Sequence, residues 1–275
     1  MMSSPVYIVS ANEHIAHARN LMLKHHISRL LVMEGEDSVE GIITRKDIAY
    51  GLRQTEPIWR RRPIDRIPVR ILMTPDPITI TPDTSTQEIA GLMVNNNISG
   101  LPVVEGKKVV GIVTKFDLLK SMLFRNLSLT AKDLMSDAIT VSRYHSLEHL
   151  IDLMRERGEK ILVMNSDGTL AGIVTDSNLA FFEYIDVDKG VPQKDVTILR
   201  KEQSGGQKRL RYVMDVSAVA EDLMTRPVIT VTPDTTVIDL VHLMQEHHIT
   251  SLVVEEEGEV KGVVKRDDII REVAK

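Results

Sequence analysis

The sequence contains no cysteine and one tryptophan, and aromatic residues make up only 4% of it. The absence of cysteine excludes disulfide bonds and cysteine metal sites, and it is compatible with a reducing compartment. The net charge of −5 gives no overall attraction to nucleic acid or to an anionic membrane. No apolar run is long enough to cross a bilayer, so we expect no membrane partner.

Residues 1–5 contain neither the basic segment nor the apolar core of a signal peptide, and we therefore expect a cytoplasmic protein. At 275 residues the chain has room for two domains of typical size, each with a substantial core. The hydrophobic fraction of 43% and the charged fraction of 27% are ordinary for a globular protein.

One stretch of the sequence is present in four copies. In its clearest copy, residues 98–104 and 109–114 are apolar runs rich in β-branched residues, with a short polar turn between them. This pattern predicts a β-hairpin, and Asp117-Leu118-Leu119 then predicts the start of a helix. Equivalent glycines mark the copies at intervals of 70, 61 and 90 residues: Gly41, Gly111, Gly172 and Gly262. The chain therefore has a fourfold internal repeat.

A helix pattern precedes each hairpin, with apolar residues at i, i+3, i+4 and i+7. The fourth copy shows it as Val237, Leu240, Val241 and Met244, a spacing that places one apolar stripe on the helix. Short alternating strands precede the helices. Each repeat is thus predicted to run strand, helix, strand, strand, helix (β-α-β-β-α), an α/β or α+β architecture.

These motifs together resemble the CBS domain, in four copies that span nearly the whole chain. The resemblance rests on Leu-Met-Thr entries at Leu72 and Leu223, on Thr-Pro-Asp-Thr turns, on Ile-Ser-Gly-Leu-Pro-Val-Val and on Gly-Ile-Val-Thr-x-x-Asp. The first copy begins near Val6 and is expected to lack the Leu-Met-Thr entry.

The resemblance implies that the copies pair into two Bateman modules. These modules would form a flat disc, similar to the regulatory γ subunit of AMP-activated kinase. We expect the first module at residues 1–125 and the second at 126–275, with a basic insertion at 185–217. We also expect each module to have a continuous core of its own.

Two connectors interrupt the repeats. Residues 53–69 include Trp59-Arg60-Arg61-Arg62, which is either a solvated connector or an anion or partner contact. In the insertion, two apolar runs flank Ser204-Gly205-Gly206-Gln207, which predicts a β-hairpin. Four basic residues leave a nucleic-acid-binding role open there, although no aromatic platform accompanies them. They are Lys201, Lys208, Arg209 and Arg211.

A Gly-x-x-Thr-x-x-Asp segment ends the hairpin and begins the next helix. A carboxylate is purely an acceptor, and its two oxygens can take both hydroxyls of a ribose. The helix start also attracts phosphate. The resemblance implies that such segments bind adenosine ligands, at Thr44 and Asp47 in the first copy and at Thr114 and Asp117 in the second. The alternative is that each aspartate only caps its helix.

The third and fourth copies depart from this pattern, because Asn178 replaces the aspartate and Lys265 replaces the threonine. Hydroxyl groups in the preceding strands and basic neighbours, including Lys46, complete the candidate set. The candidate ligand-binding residues are Ser28, Arg29, Thr44, Arg45, Asp47, Thr79, Ser99, Thr114, Lys115, Asp117, Thr175, Asn178, Thr250, Lys265 and Asp268.

Histidine pairs occur at three places. His145 and His149 fit an inverted zincin pattern, but the helix stripe turns both toward solvent, so we expect no catalytic zinc. The pairs His25-His26 and His247-His248 end their helices, where we expect surface positions.

The favoured hypothesis is a non-enzymatic regulatory sensor that binds AMP, ADP or ATP without a catalytic cofactor. It would act on a partner protein as a monomeric disc or a homodimer. The alternatives are a sensor of S-adenosylmethionine or methylthioadenosine, a nucleic-acid-binding regulator that uses the basic insertion, and a nucleotide-processing enzyme.

Overall fold

A computed structural model describes residues 2–35, 39–51, 66–106, 108–120, 127–157, 160–181, 194–202, 208–216 and 218–274, the ranges 194–202 and 208–216 by their backbone alone. Trp59 and its basic neighbours lie outside the described residues, as does the expected module boundary at residue 125. No helix in the described ranges is both long and apolar enough to cross a membrane.

The first repeat has the predicted order of elements. They are β1 (Ile8–Val9), α1 (Ile15–Lys24), β2 (Arg29–Met33), β3 (Val39–Thr44) and α2 (Arg45–Gly51). β1 pairs in parallel with β2, and β2 pairs antiparallel with β3. Ile15, Ala18 and Met22 of α1 are buried, because their spacing places them on one helix face.

The second repeat begins with a 3-10 helix (Val69–Ile71) and a short strand. Its further elements are β4 (Thr74–Pro75), α3 (Thr86–Asn95), β5 (Gly100–Glu105), β6 (Lys108–Thr114) and α4 (Lys115–Lys120). Ile80 forms a parallel bridge with Val103, in the place that β1 has beside β2 in the first repeat.

The third and fourth repeats follow the same plan, and the predicted hairpin in the insertion is confirmed as an antiparallel pair. The third repeat comprises α5 (Ala131–Leu134), β7 (Thr140–Ser142), α6 (Leu147–Arg157), β8 (Lys160–Met164), β9 (Leu170–Thr175) and α7 (Asp176–Phe181). The hairpin is β10 (Lys194–Glu202) with β11 (Lys208–Val216). The fourth repeat comprises α8 (Ala220–Leu223), β12 (Thr230–Val231), α9 (Val237–Glu246), β13 (Ser251–Glu256), β14 (Glu259–Lys265) and α10 (Arg266–Val273).

The segment that leads into each repeat pairs with the neighbouring repeat of the same module. In the second module, Thr225 exchanges two backbone hydrogen bonds with Ile173, and Ser136 pairs in the same way with Val263. In the first module, β4 pairs with β3.

The first repeat has an entry segment as well, in contrast to the expectation from its sequence. Ser3 donates a backbone hydrogen bond to Ile112 at 2.9 Å and accepts one from it at 3.1 Å. Residues 2–3 therefore take the place of Leu-Met-Thr, and the exchange is reciprocal in both modules. The Leu-Met-Thr pattern does not reveal this segment, because Met2 and Ser3 are neither preceded by leucine nor followed by threonine.

The four marker glycines lie beneath the entry methionines. A Cβ at any of them would come within 2.8 Å of an entry-segment atom, so a side chain would obstruct the exchange. The pairs are Gly41 with Met73, Gly111 with Met2, Gly172 with Met224 and Gly262 with Met135. The recurrence of glycine in all four hairpins thus has a packing cause.

Two large clusters of buried side chains join the modules instead of filling each one separately. One combines repeats 1 and 3 with the entry segments of repeats 2 and 4, and it includes Ile48 of α2 and Leu179 of α7. The other combines repeats 2 and 4 with α5 of repeat 3, and it includes Leu119 of α4 and Ile270 of α10. The expectation of one continuous core per module is therefore wrong, because these helices bury their apolar faces against helices of the other module.

Candidate functional site

A cavity of about 530 Å³ lies where the four repeats meet. Each repeat contributes the start of the helix that follows its hairpin: α2, α4, α7 and α10. Repeats 2 and 4 also contribute the turns after α3 and α9, through Asn97, His247 and His248. The fourfold sequence repeat thus becomes one shared site.

Two positions of the repeat line this cavity in every copy. One of them is the residue that begins the earlier strand of each hairpin, and it pairs with the threonine position of the later strand. Its residues are Arg29, Gly100, Lys160 and Ser251. The second position begins the helix after the hairpin, and its residues are Arg45, Lys115, Asp176 and Arg266. These two positions supply six of the nine Asp, Lys and Arg side chains in the described lining of the cavity.

Cationic side chains outnumber carboxylates among the described residues that line the cavity. The cations are Arg29, Arg45, Lys46, Lys115, Lys160 and Arg266, and the carboxylates are Asp47, Asp176 and Asp267. Burial, together with the charges of Arg266 and Arg45, lowers the pKa of Arg29 to about 10. Like charges held this close are favourable only when an anion compensates them.

Arg45 reaches toward the other module. Its guanidinium carbon lies 6.0 Å from the ring centroid of Phe181 in α7. Its Nε is buried, and no described residue accepts a hydrogen bond from it. Buried N–H groups are normally paired, so this donor is suited to a ligand acceptor.

Two of the cavity lysines, Lys115 and Lys160, form ion pairs with aspartates. Lys115 Nζ lies 2.7 Å from Asp267 Oδ2 and thereby connects the two modules. Lys160 Nζ lies 3.7 Å from Asp176 Oδ1, within the third repeat. The side chains of Lys115 and Lys160 are only 3% and 6% exposed, so water screens these pairs weakly.

Asp47 both caps its helix and lines the cavity. The Thr44 backbone N–H and hydroxyl donate to Asp47 Oδ2, at 2.8 and 2.7 Å. Burial raises the pKa of the Asp47 carboxyl, while the hydrogen bonds from Thr44 act in the opposite direction. Thr74, from the entry segment of the second repeat, lines the cavity as well.

Asn178 reproduces the cap in the third repeat with a different balance of hydrogen bonds. Its Oδ1 accepts from the Thr175 N–H at 2.9 Å and from the Thr175 hydroxyl at 2.7 Å. Its Nδ2 donates to the Thr225 hydroxyl at 2.8 Å. Because an amide oxygen has two lone pairs, these two bonds use the acceptor capacity of Asn178.

The aspartates of the second and fourth repeats also cap their helices. Asp117 Oδ2 accepts from the Thr114 N–H at 2.9 Å and from its hydroxyl at 2.7 Å. Asp268 Oδ2 accepts from the Lys265 N–H at 2.8 Å. Neither aspartate belongs to the cavity lining. Helix capping is therefore common to all four copies.

The cavity contains nine of the residues predicted from the sequence. They are Ser28, Arg29, Thr44, Arg45, Asp47, Ser99, Lys115, Thr175 and Thr250. The other six lie outside its lining, and Thr79 is exposed. They are Thr79, Thr114, Asp117, Asn178, Lys265 and Asp268.

Sequence reasoning missed several lining residues, among them Thr74, Asn97, Lys160, Asp176, Ser251, Arg266 and Asp267. Alignment of the repeats on Arg29 and Arg45 would have identified Lys160, Asp176 and Arg266. His247 and His248 are exposed as predicted, yet they also line the cavity.

The histidines of the inverted zincin pattern lie elsewhere. The rings of His145 and His149 stack with centroids 4.8 Å apart, and the Ser142 N–H donates to His145 Nδ1 at 3.0 Å. Within the described ranges, no group of three or more acidic or histidine side chains is arranged to hold a metal ion.

The CBS domain family model matches residues 1–53, 60–123, 131–183 and 219–275, so the chain belongs to the CBS-domain family. CBS-domain proteins are regulatory ligand sensors. Protein MJ1225 from Methanocaldococcus jannaschii, which has been proposed as an archaeal homologue of g-AMPK, superimposes with a TM-score of 0.77 at 19% identity. The alignment covers 98% of this chain and 97% of that one, and it shows the shared fold.

Two curated proteins with more than 30% identity match less than half of this chain. MJ1404 from M. jannaschii is 33% identical over 127 residues, which are 44% of this chain and 30% of that protein. Inosine-5'-monophosphate dehydrogenase from Korarchaeum cryptofilum is 39% identical over 110 residues, 39% of this chain and 22% of the enzyme. The matched regions thus span less than a third of these relatives. A 33.4 kDa protein from Thermofilum pendens is 25% identical and matches 97% of this chain and 87% of its own length.

Proposed function

We propose that the protein senses a phosphorylated adenosine ligand, AMP, ADP or ATP, and transmits its binding to a partner protein. The observation that carries this proposal is the convergence of the Asp47 carboxylate with cations from all four repeats in one cavity. A carboxylate suits a ribose, and a cluster of guanidinium and ammonium groups suits phosphate.

The ribose binds at the first repeat. Asp47 retains acceptor capacity after its two hydrogen bonds from Thr44, because a carboxylate offers about four lone-pair sites. At Asn178, by contrast, the two bonds from Thr175 occupy the amide oxygen. Asn178 also lies outside the cavity lining, so Asp47 of the first repeat is the better ribose acceptor of the two.

The phosphate binds beside Arg29 and Arg45, which share the cavity wall with Asp47. Arginine can make bidentate, charge-assisted hydrogen bonds to phosphate. The same cations repel the positive sulfonium of S-adenosylmethionine and give no charge-based gain to methylthioadenosine. The charge of the cavity thus favours nucleotides over these alternatives.

Regulation follows from the position of the cavity between the modules. A ligand held there contacts both modules, and it shifts their relative packing to the extent that it binds one arrangement more tightly. The Lys115–Asp267 ion pair and the shared cores are the contacts between modules that such a shift would alter.

Calorimetry on wild type and Asp47→Asn tests the proposal, with AMP, ADP, ATP, S-adenosylmethionine and methylthioadenosine as ligands. Asn178 shows that asparagine can maintain the helix cap. Loss of a charge-assisted hydrogen bond should therefore cost about 1.5–3 kcal/mol of binding, or about one to two decades in affinity. Mass spectrometry of copurifying small molecules should identify a nucleotide.

Asp133→Asn is the matched control, because Asp133 accepts from the Thr130 N–H and hydroxyl in the same cap geometry outside the cavity. It should leave affinity unchanged. Tighter binding of the thioether compounds, or equal nucleotide binding by wild type and Asp47→Asn, would contradict the proposal. Nucleotide turnover would support the enzyme alternative instead.

A further inference from the structure

Asp176 is the exception at a position that is otherwise cationic. The residue that begins the helix after the hairpin is Arg45, Lys115 and Arg266 in the other three repeats, and all four line the cavity. At this position the third repeat therefore contributes a negative charge to the cavity, whereas the other three repeats each contribute a positive charge.

The carboxylate of Asp176 neutralises Lys160, the one cation that the described residues of the third repeat contribute to the lining. Lys160 Nζ lies 3.7 Å from Asp176 Oδ1, and the lysine is almost completely buried. The charge of Asp176 also acts on Arg29 and raises the pKa of its guanidinium. Burial lowers this pKa by a larger amount. The described part of the third repeat thus adds no net positive charge to the cavity lining.

Asp267 differs from Asp176 because two cations surround it. It lies 2.7 Å from Lys115 Nζ and 4.0 Å from Arg266 Nε, so this group of three side chains remains net positive. Among the described lining residues, cations therefore outnumber carboxylates at repeat 1 and at repeats 2 and 4 taken together, whereas the two are equal in number at repeat 3.

We infer that Asp176, through its pairing with Lys160, sets the number of phosphates that the cavity accepts and favours a monophosphate over a triphosphate. This inference rests on the proposed function for the placement of the nucleoside. The first phosphate meets Arg29 and Arg45, close to Asp47. A longer chain extends across the cavity toward the third repeat, where each added negative charge meets Asp176 and a lysine that is already paired.

Asp176→Asn should raise the ratio of ATP affinity to AMP affinity on the order of tenfold. The magnitude follows from removing one negative charge about 10 Å from the added phosphates at an effective dielectric constant of about 20. Asp176→Asn also frees Lys160 to contact a phosphate. In the Lys160→Gln, Asp176→Asn double variant this lysine is absent, so the rise in the ATP-to-AMP affinity ratio should be smaller. Asp176→Glu retains the charge and should retain the wild-type ratio.

The experiment is calorimetry on the full chain without divalent cations, with AMP, ADP and ATP in one arm. Inorganic phosphate, pyrophosphate and tripolyphosphate form a second arm, which tests the charge effect without the nucleoside. Glu148→Gln is the control for net charge, since Glu148 is exposed on α6 of the same repeat. Asp176→Ser is a second neutral variant in case asparagine disturbs the start of α7.

A rise in the triphosphate-to-monophosphate ratio in both arms supports the inference. A rise in the inorganic arm alone, without nucleotide binding, supports the selectivity of the cavity and refutes the adenosine assignment. Unchanged ratios in folded Asp176→Asn and Asp176→Ser overturn the inference while leaving nucleotide sensing intact. Failure of the wild type to bind any of these anions overturns both.

Discussion

Arg29 of the first repeat packs its guanidinium against Gly100 of the second repeat. The two residues occupy equivalent positions, each at the start of the first strand of its hairpin. A Cβ at Gly100 would overlap Nη1 of Arg29 and would lie 3.0 Å from its Cδ and Cζ. The second module repeats this combination of a long and a short side chain with Lys160 and Ser251. Each module thereby brings one long cation from this position into the cavity.

Gly100→Ala should therefore displace Arg29 and weaken nucleotide binding. The arginine is flexible, so the fold should survive while the phosphate loses a well-placed partner, at a cost of about 0.5–1.5 kcal/mol or up to about tenfold in affinity. Calorimetry with AMP measures the effect, and Gly91→Ala on α3 is the control because its Cβ would meet no atom within 4 Å. Equal affinities for the two variants would show that Arg29 does not contact the ligand.

Substitution of Asp47 should change how stability depends on pH. Burial raises the pKa of Asp47 above its ordinary value of 3.8, so the folded protein retains a proton that the unfolded chain releases. This contribution to stability is complete below 3.8 and declines as the pH rises through the folded pKa. The ligand-free Asp47→Asn variant should thus gain stability relative to wild type across that window. Thermal midpoints of wild type and Asp47→Asn, measured between about pH 4 and pH 7, test this expectation. A constant difference between the two midpoints over this pH range would contradict it.

Gly262→Ala should destabilise the fold by about 1–3 kcal/mol through overpacking. A Cβ there would lie 2.8 Å from the Ser136 carbonyl oxygen, which is backbone of the exchanged entry segment and moves less readily than a side chain. Gly91→Ala should instead stabilise the protein by about 0.5–1 kcal/mol, because Gly91 lies within α3 with open space around it. Urea unfolding of both variants gives the two free energies, and equal midpoints would refute the packing explanation.

Leu179→Ala should weaken two repeats at once. Leu179 of α7 belongs to the buried cluster that includes Ile48 of α2, so its truncation should cost about 2–5 kcal/mol and reduce protection in both helices. Hydrogen exchange followed by mass spectrometry resolves the two segments. Loss of protection confined to the third and fourth repeats would indicate separate cores in the two modules.

The sequence by itself determined the repeated unit. The spacing of Val237, Leu240, Val241 and Met244 predicted a helix face that is fully buried, and the β-branched runs predicted each hairpin. These features depend on local periodicity, which a sequence displays directly. The family assignment followed from the order of such units and is confirmed by the match to the CBS domain at all four repeats.

Only the tertiary structure decided which copies meet. The entry segments exchange within a module, whereas the helices α2 and α7 share a core between modules. The core contacts join residues more than a hundred positions apart, such as Ile48 and Leu179. The same geometry gave Asp47 a place in the cavity and left Asp117 outside it, although both sequences read Thr-x-x-Asp. The shared Thr-x-x-Asp pattern forms the same helix cap in both repeats because capping is a local interaction. Their exposure to a shared cavity depends on the packing of distant repeats, which no single segment encodes.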